Sequence, residues 1–245
     1  MQPYKGIIVI IFSFSFITLT VLSLPVLGAI YNPGVSVGQY VKYGNFVGSG
    51  QGFESFNEIS FEQFQVTAVS GSLVTLLSTG QTKNGTALPG NGTSEVWDVT
   101  AGTLNGSPDV QGPIIAANLN QGDAIPPPNT YSVNSTEERT YLGVARAVNL
   151  LTLTIFTSDY NSTLSYIYDR QTGMLLEASN QLVTQSQPEP ITSSYSYSAI
   201  ETNIFNATPS PNPTTNFPIQ TIIIIIAVIF VVVIVTLLVL LRKKL

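Results

Sequence analysis

Two octapeptides raise a chemical question first. WDVTAGTL begins at Trp97 and YDRQTGML at Tyr168, and each runs aromatic, Asp, two free positions, a small residue, Gly, one free position, Leu. A fold that brought Asp98 and Asp169 together would offer two carboxylates to a cation or a sugar. Calcium takes about six to eight oxygens, however, and neither octapeptide has the spacing of an EF-hand loop. The alternative is a turn. An Asp at its head accepts backbone N–H bonds, and a Gly four residues later takes the positive φ that restarts the ladder. On that reading Asp98 and Asp169 make turns, Gly102 and Gly173 tolerate them, and no metal is held.

Other chemistries are narrowed by residue type. The 245 residues include no Cys and no His, which closes Ser-His-Asp and Cys-His nucleophiles and His/Cys zinc or copper sites. Glu137 with Glu138, or a pair among Glu54, Glu58 and Glu62, leaves carboxylate-based glycan hydrolysis as a third and least favoured reading. Acidic side chains in such polar stretches are ordinarily solvated. The segment GSGQG (Gly48–Gly52) lacks the Lys-Ser/Thr ending and following helix of a phosphate loop. The expectation is a protein that is not an enzyme and holds no cofactor.

Aromatic rings remain as binding groups. In SSYSYS, Tyr195 and Tyr197 share one face of a strand, and Tyr40, Tyr43, Trp97, Tyr131, Tyr141, Tyr160, Tyr166 and Tyr168 add more. Such rings suit recognition surfaces and equally the rim of a β core, and packing is the favoured role. Six Asn-X-Ser/Thr triplets, at Asn84, Asn91, Asn105, Asn134, Asn161 and Asn206, are candidate glycosylation sites. Asn105 is the least favoured because Pro108 follows its triplet.

The elements that would position these groups read as β throughout. Short β-branched and aromatic runs are punctuated by Gly, Asn, Ser and Pro from about residue 30 to 205, with no long 3.6-residue stripe. GQYVKYG alternates as a half-buried strand. A hairpin is expected at Ser70-Gly71, with a bulge or a change of partner sheet near Glu62 or Gln63, because Ile59 and Phe61 differ in parity from Phe64, Val66 and Ala68. Further hairpins are expected about Asn149 and about Arg170-Gln171, a short helical turn at 114–119, and a last strand in ITSSYSYSAIETNIF. Gly38-Gln39 and a hairpin precede Trp97, as Gly122-Asp123 and a hairpin precede Tyr168, so 30–205 reads as a degenerate duplication. The predicted class is mainly β, an antiparallel sheet or a sandwich/half-barrel with little helix.

The ends differ in kind. Residues 219–241 form an apolar stretch of roughly 34 Å as a helix, enough for a hydrocarbon core of about 30 Å, and RKKL at 242–245 predicts a cytoplasmic basic tail. Residues 1–29 read as a signal peptide or an uncleaved signal anchor. Between them, 206–218 is a Pro/Thr/Asn-rich spacer. The 30–205 region carries all 14 acidic residues but five basic ones, a balance that excludes nucleic acid as a partner.

GVSVGQYVKYG, NLNQGDAI, YDRQTGMLLEAS, AIETNIF and the apolar C-terminal run together resemble archaeal membrane-anchored cell-surface proteins. In these, a secreted β-domain with Gly-Asp starts and an Asp-x-x-Thr-Gly-x-Leu hairpin precedes one anchor helix. Here Ala101 stands in place of the Thr and Gln39 in place of the first Asp. The resemblance implies an architecture and an address, with no activity attached. The expected function is a membrane-anchored, non-catalytic binding or scaffolding β-domain, with surface-layer proteins, other envelope proteins or glycans as partners. The alternative is carriage of a lipid or other apolar ligand in a curved half-barrel.

Overall fold

The computed structural model describes residues 31–108, 112–125, 131–185 and 189–206. The expected signal segment and membrane span lie outside them, as does the expected spacer apart from Asn206. Among the described residues no helix is long and apolar enough to cross a membrane. Helical structure there amounts to 3-10 turns at Glu54–Glu58 and Ile204–Asn206.

The rest is strand. The first half supplies β1 (Tyr40–Ser49), β2 (Ile59–Ser70), β3 (Leu73–Thr82), β4 (Ser94–Asp98), β5 (Thr103–Leu104) and β6 (Ser107–Pro108). The second supplies β7 (Ala124–Ile125), β8 (Tyr131–Ser132), β9 (Ser135–Tyr141), β10 (Val144–Phe156), β11 (Tyr160–Asp169), β12 (Leu175–Thr184) and β13 (Ile191–Thr202). β7 and β8 pair with each other, and the other 11 strands form one antiparallel sheet in the order β6-β5-β4-β3-β2-β1-β13-β12-β11-β10-β9. Each neighbour is also adjacent in sequence except β1 and β13, whose pairing joins the two halves.

Alternation sets the faces. In β1, Val41 and Tyr43 are buried on the inner face while Tyr40 and Lys42 point the other way. Val66, Val74, Leu76, Leu153 and Tyr166 extend the inner core across both halves, each contributing about 1.5–3 kcal/mol by burial. The break in parity in β2 needs neither a bulge nor a change of partner sheet at Glu62 or Gln63, where pairing with β1 and β3 is regular. Phe61 faces outward under the Lys42 ammonium, which lies 4.6 Å from the ring centroid, and Phe64 faces inward against Tyr43. The irregularities fall on either side, between Ile59 and Phe61 and between Val66 and Ala68.

Two further expectations are corrected. The hairpin expected about Asn149 turns instead at Leu142-Gly143, both with positive φ, and β10 runs through Asn149 without a break. Asn149 is buried and tied, accepting from the Thr136 hydroxyl at 2.7 Å and donating to the Leu119 carbonyl at 2.9 Å, so it is a strand residue. The segment 114–119 has no helical turn. It is drawn out because its backbone pairs with the strand after the Asp169 turn: Ile114 bridges Met174, and Ile115 N–H donates to Gly173 O at 2.9 Å.

Asparagine side chains close what the ladders leave open at both ends of β1. Asn57 accepts from Gly48 N–H and donates to Gly48 O, and Asn203 accepts from Tyr40 N–H and donates to Gly38 O. Each carboxamide thereby stands in for a peptide group of a neighbouring strand.

Candidate functional site

The two octapeptides fold into the same turn. In the second, Gly173 N–H donates to Asp169 O at 2.8 Å, and in the first Gly102 N–H donates to Asp98 O at 2.7 Å. Gly102 has φ +59° and Gly173 +77°, values that cost an L-residue about 1–2 kcal/mol. Across the turn Trp97 pairs with Leu104 and Tyr168 with Leu175, so the aromatic and leucine of each octapeptide face one another. Both carboxylates accept the N–H three residues on, from Ala101 at 3.0 Å and from Thr172 at 2.9 Å.

Their surroundings differ. The Asp169 side chain is 0% exposed, and Arg146 holds it through two parallel bonds, Nε to Oδ1 at 2.7 Å and Nη2 to Oδ2 at 2.9 Å. With the Thr172 N–H already counted, the Thr172 hydroxyl adds a fourth donor at 2.7 Å. Arg146 itself lies under the Phe205 ring, 5.0 Å from its centroid. A buried carboxylate bound by a planar fork and a hydroxyl has its lone pairs filled by the protein. Nothing in the echo pointed to Arg146, although an Arg inside the apolar run VARAVNLL was a signal that a buried acid had to meet it. Asp98 is half-buried and takes Thr100 N–H at 2.9 Å as well as Ala101 N–H. Partial burial works to raise its pKa, but the Ala101 N–H, the Ser72 hydroxyl and the Thr100 N–H together leave it below the ordinary value.

The structure does not bring the two aspartates together. Five strands stand between β4 and β11 in the sheet, and each carboxylate has its own separate set of partners, Asp98 its turn's N–H groups and the Ser72 hydroxyl, Asp169 its turn's Thr172 and Arg146 of β10. Among the described residues no group of three or more Asp, Glu, His or Cys could hold a metal ion.

The Gly-Gln and Gly-Asp starts match bond for bond. Gly38 N–H donates to Val66 O, and Val66 N–H to Gln39 O; Gly122 N–H donates to Val133 O, and Val133 N–H to Asp123 O. The side chain that follows each Gly reaches back three residues, Gln39 accepting from Ser36 N–H at 2.6 Å and Asp123 from Asn120 N–H at 2.7 Å. Gln therefore replaces Asp here without loss of the contact.

Aromatic rings gather at one end of the inner face. Phe56, carried by the Glu54–Glu58 turn, stacks on Tyr195 at 4.6 Å and 12°, and Tyr195 continues to Tyr197 at 6.3 Å and 9°. Phe53 meets Phe56 and Tyr195 edge-on, and Phe46 stacks on Tyr197. Phe53, Phe56, Tyr195 and Tyr197 remain half-buried. Tyr195 and Tyr197 thus share a face, as their spacing predicts, while the contribution of Phe53 and Phe56 came from a loop whose pattern gave no sign of it.

The suggested carboxylate pairs are not assembled. Glu54 and Glu58 are exposed on their 3-10 turn, and Glu137 and Glu138, adjacent in β9, point to opposite faces, Glu137 bonding Arg139. Glu62 shares the inner face with Tyr43, which lies opposite it. Burial, with a smaller push from Glu95, raises its pKa. Its neutral form suits the fold, so its contribution is present below the ordinary carboxylate pKa and is lost as pH rises through the raised value.

Most triplet asparagines already have structural partners. Asn84 accepts from Thr86 N–H, Asn91 from Gly80 N–H, Asn105 from Val96 N–H and Asn134 from Thr152 N–H. Asn161, half-buried in β11, has no side-chain hydrogen bond among the described residues, and Asn206 closes the last 3-10 turn. A scan against protein-family models and a search of curated proteins both returned no match to this chain.

Proposed function

We propose that residues 30–205 are the outward-facing, non-catalytic binding domain of a cell-surface protein, held to the membrane by 219–241. The domain is read as a degenerate duplication whose copies begin at the two Gly turns and each contain one Asp turn. The observation that carries the binding reading is the tier of half-exposed rings in which Phe56 stacks on Tyr195 and Phe53 meets both edge-on. Flat, partly hydrated ring faces suit the apolar side of a sugar, and the envelope glycans beside such a domain supply that chemistry. Carriage of an apolar ligand finds less support, because the inner face is filled by the domain's own side chains, with Tyr43, Tyr166, Leu76 and Leu151 less than 2% exposed.

The test is retention of detergent-solubilised full-length protein on immobilised envelope polysaccharide. Phe53→Ser, at the rim of the tier, is expected to lower retention at least tenfold with little change in the thermal midpoint. Equal retention of variant and wild type, or none by either, would sink the reading.

A further inference from the structure

Asn161 differs from the other triplet asparagines of the described sheet and loops. Asn84, Asn91, Asn105 and Asn134 each spend their side-chain oxygen on a backbone N–H, so local folding accounts for an Asn at those positions. The triplet Thr136 is likewise accounted for by its bond to Asn149. Asn161-Ser162-Thr163 has no such explanation: the Asn161 carboxamide makes no hydrogen bond among the described residues, and Thr163 is exposed with no side-chain bond there.

What lies opposite Asn161 is a large unprotected ring. In the β10–β11 ladder Asn161 pairs with Phe156, so the two side chains leave the same face of adjacent strands. Phe156 is 73% exposed, the most exposed large hydrophobic side chain among the described residues. On the other side Asn161 pairs with Val183 of β12, which is half-buried. The hairpin turns only a few residues away, where Thr157 N–H bonds Tyr160 O, so the site is near a tip and open to a bulky group.

We propose that Asn161 is the glycosylated position of this sheet and that its first sugar packs on Phe156. The inference rests on the reading that this domain is exported. The modification is the ordinary transfer from a lipid-phosphate-linked oligosaccharide. The bond from sugar C1 to the lipid phosphate oxygen breaks, C1 bonds to Asn161 Nδ2, and the departing amide proton leaves with the phosphate. The C–H face of the sugar then covers the electron-rich ring face, removing apolar surface from water at a site the protein leaves bare.

Three measurements on full-length protein from its native membranes test this. Labelling of intact cells with a membrane-impermeant amine or carboxylate reagent reports export independently of glycans. Glycopeptide mass spectrometry is expected to find the 161–163 triplet occupied. If the protein is labelled from outside and Asn161 is bare, the proposal is overturned while export stands; if it is not labelled, both fall. Thr163→Ala removes the triplet without touching Asn161, and Phe156→Ala removes the ring. In the glycosylated protein each is expected to lower the thermal midpoint by about 2–4 °C, with the double variant no lower than either single one. Additive shifts would overturn the stacking. So would a Phe156→Ala variant whose measurable change is in oligomeric state or membrane affinity, since the ring would then serve a protein or lipid contact.

Discussion

The Asp98 and Asp169 turns are one local device under two loads. Their backbones agree in the Asp-to-Gly bond, the positive φ of the Gly and the facing aromatic and leucine. Around Asp98 the turn joins β4 and β5, strands of 5 and 2 residues near the β6 end of the strand order. Around Asp169 it joins β11 and β12, strands of 10 residues each, and is crossed by the 112–119 segment. The difference teaches that local sequence sets the turn, while position in the sheet decides whether its carboxylate meets water or an arginine. Short strands and a proline at the β6 edge also suit a border that must not recruit another chain.

The largest expected effect follows from that contrast. Asp169→Ala leaves Arg146 charged and unpaired in a dry site and removes the partner of Thr172, a loss of about 3–5 kcal/mol. Asp98→Ala removes half-exposed backbone caps and is expected to cost about 1 kcal/mol. Urea unfolding of both variants measures the gap, and similar losses would break the comparison.

Glycine substitutions sharpen it. A Cβ at Gly173 would stand 2.0 Å from the Ile115 carbonyl oxygen, in a backbone region that also disfavours a side chain, so Gly173→Ala is expected to cost about 3 kcal/mol or more. Gly102→Ala meets the same backbone penalty, about 1–2 kcal/mol, and is expected to cost less than Gly173→Ala. Paired thermal melts check the order.

How much of this was legible from residues alone follows the same division between local and distant. The turns, the β1 alternation and the shared face of Tyr195 and Tyr197 depend on neighbours within one hairpin, and residue spacing encodes them. The Arg146–Asp169 pair, the extended path of 114–119 and the stacking of Phe56 on Tyr195 depend on contacts between segments remote in sequence. Asn149 misled for a physical reason: asparagine marks turns where its carboxamide serves its own backbone, and here it serves Leu119, 30 residues away.

The smallest effect is one of pH. Because the Ala101 N–H, the Ser72 hydroxyl and the Thr100 N–H hold the Asp98 carboxyl below its ordinary pKa, its contribution is present above the unfolded value and is lost as pH falls through the folded one. The stability difference between wild type and Asp98→Asn is therefore expected to shrink as pH is lowered below about 4. A difference that stays constant down to pH 2 would show that the charge of the Asp98 carboxylate contributes nothing to the turn's stability.

Amide hydrogen exchange at Gly102 and Gly173 tests the unequal-load account most directly, since both N–H groups make the same bond to an Asp carbonyl. Gly173 is expected to exchange through global unfolding, with a denaturant dependence matching that of the whole sheet. Gly102 is expected to exchange at least a hundredfold faster, through local opening insensitive to denaturant. Equal protection of the two amides, or greater protection at Gly102, would contradict the claim that place in the sheet, and not the turn itself, sets the load.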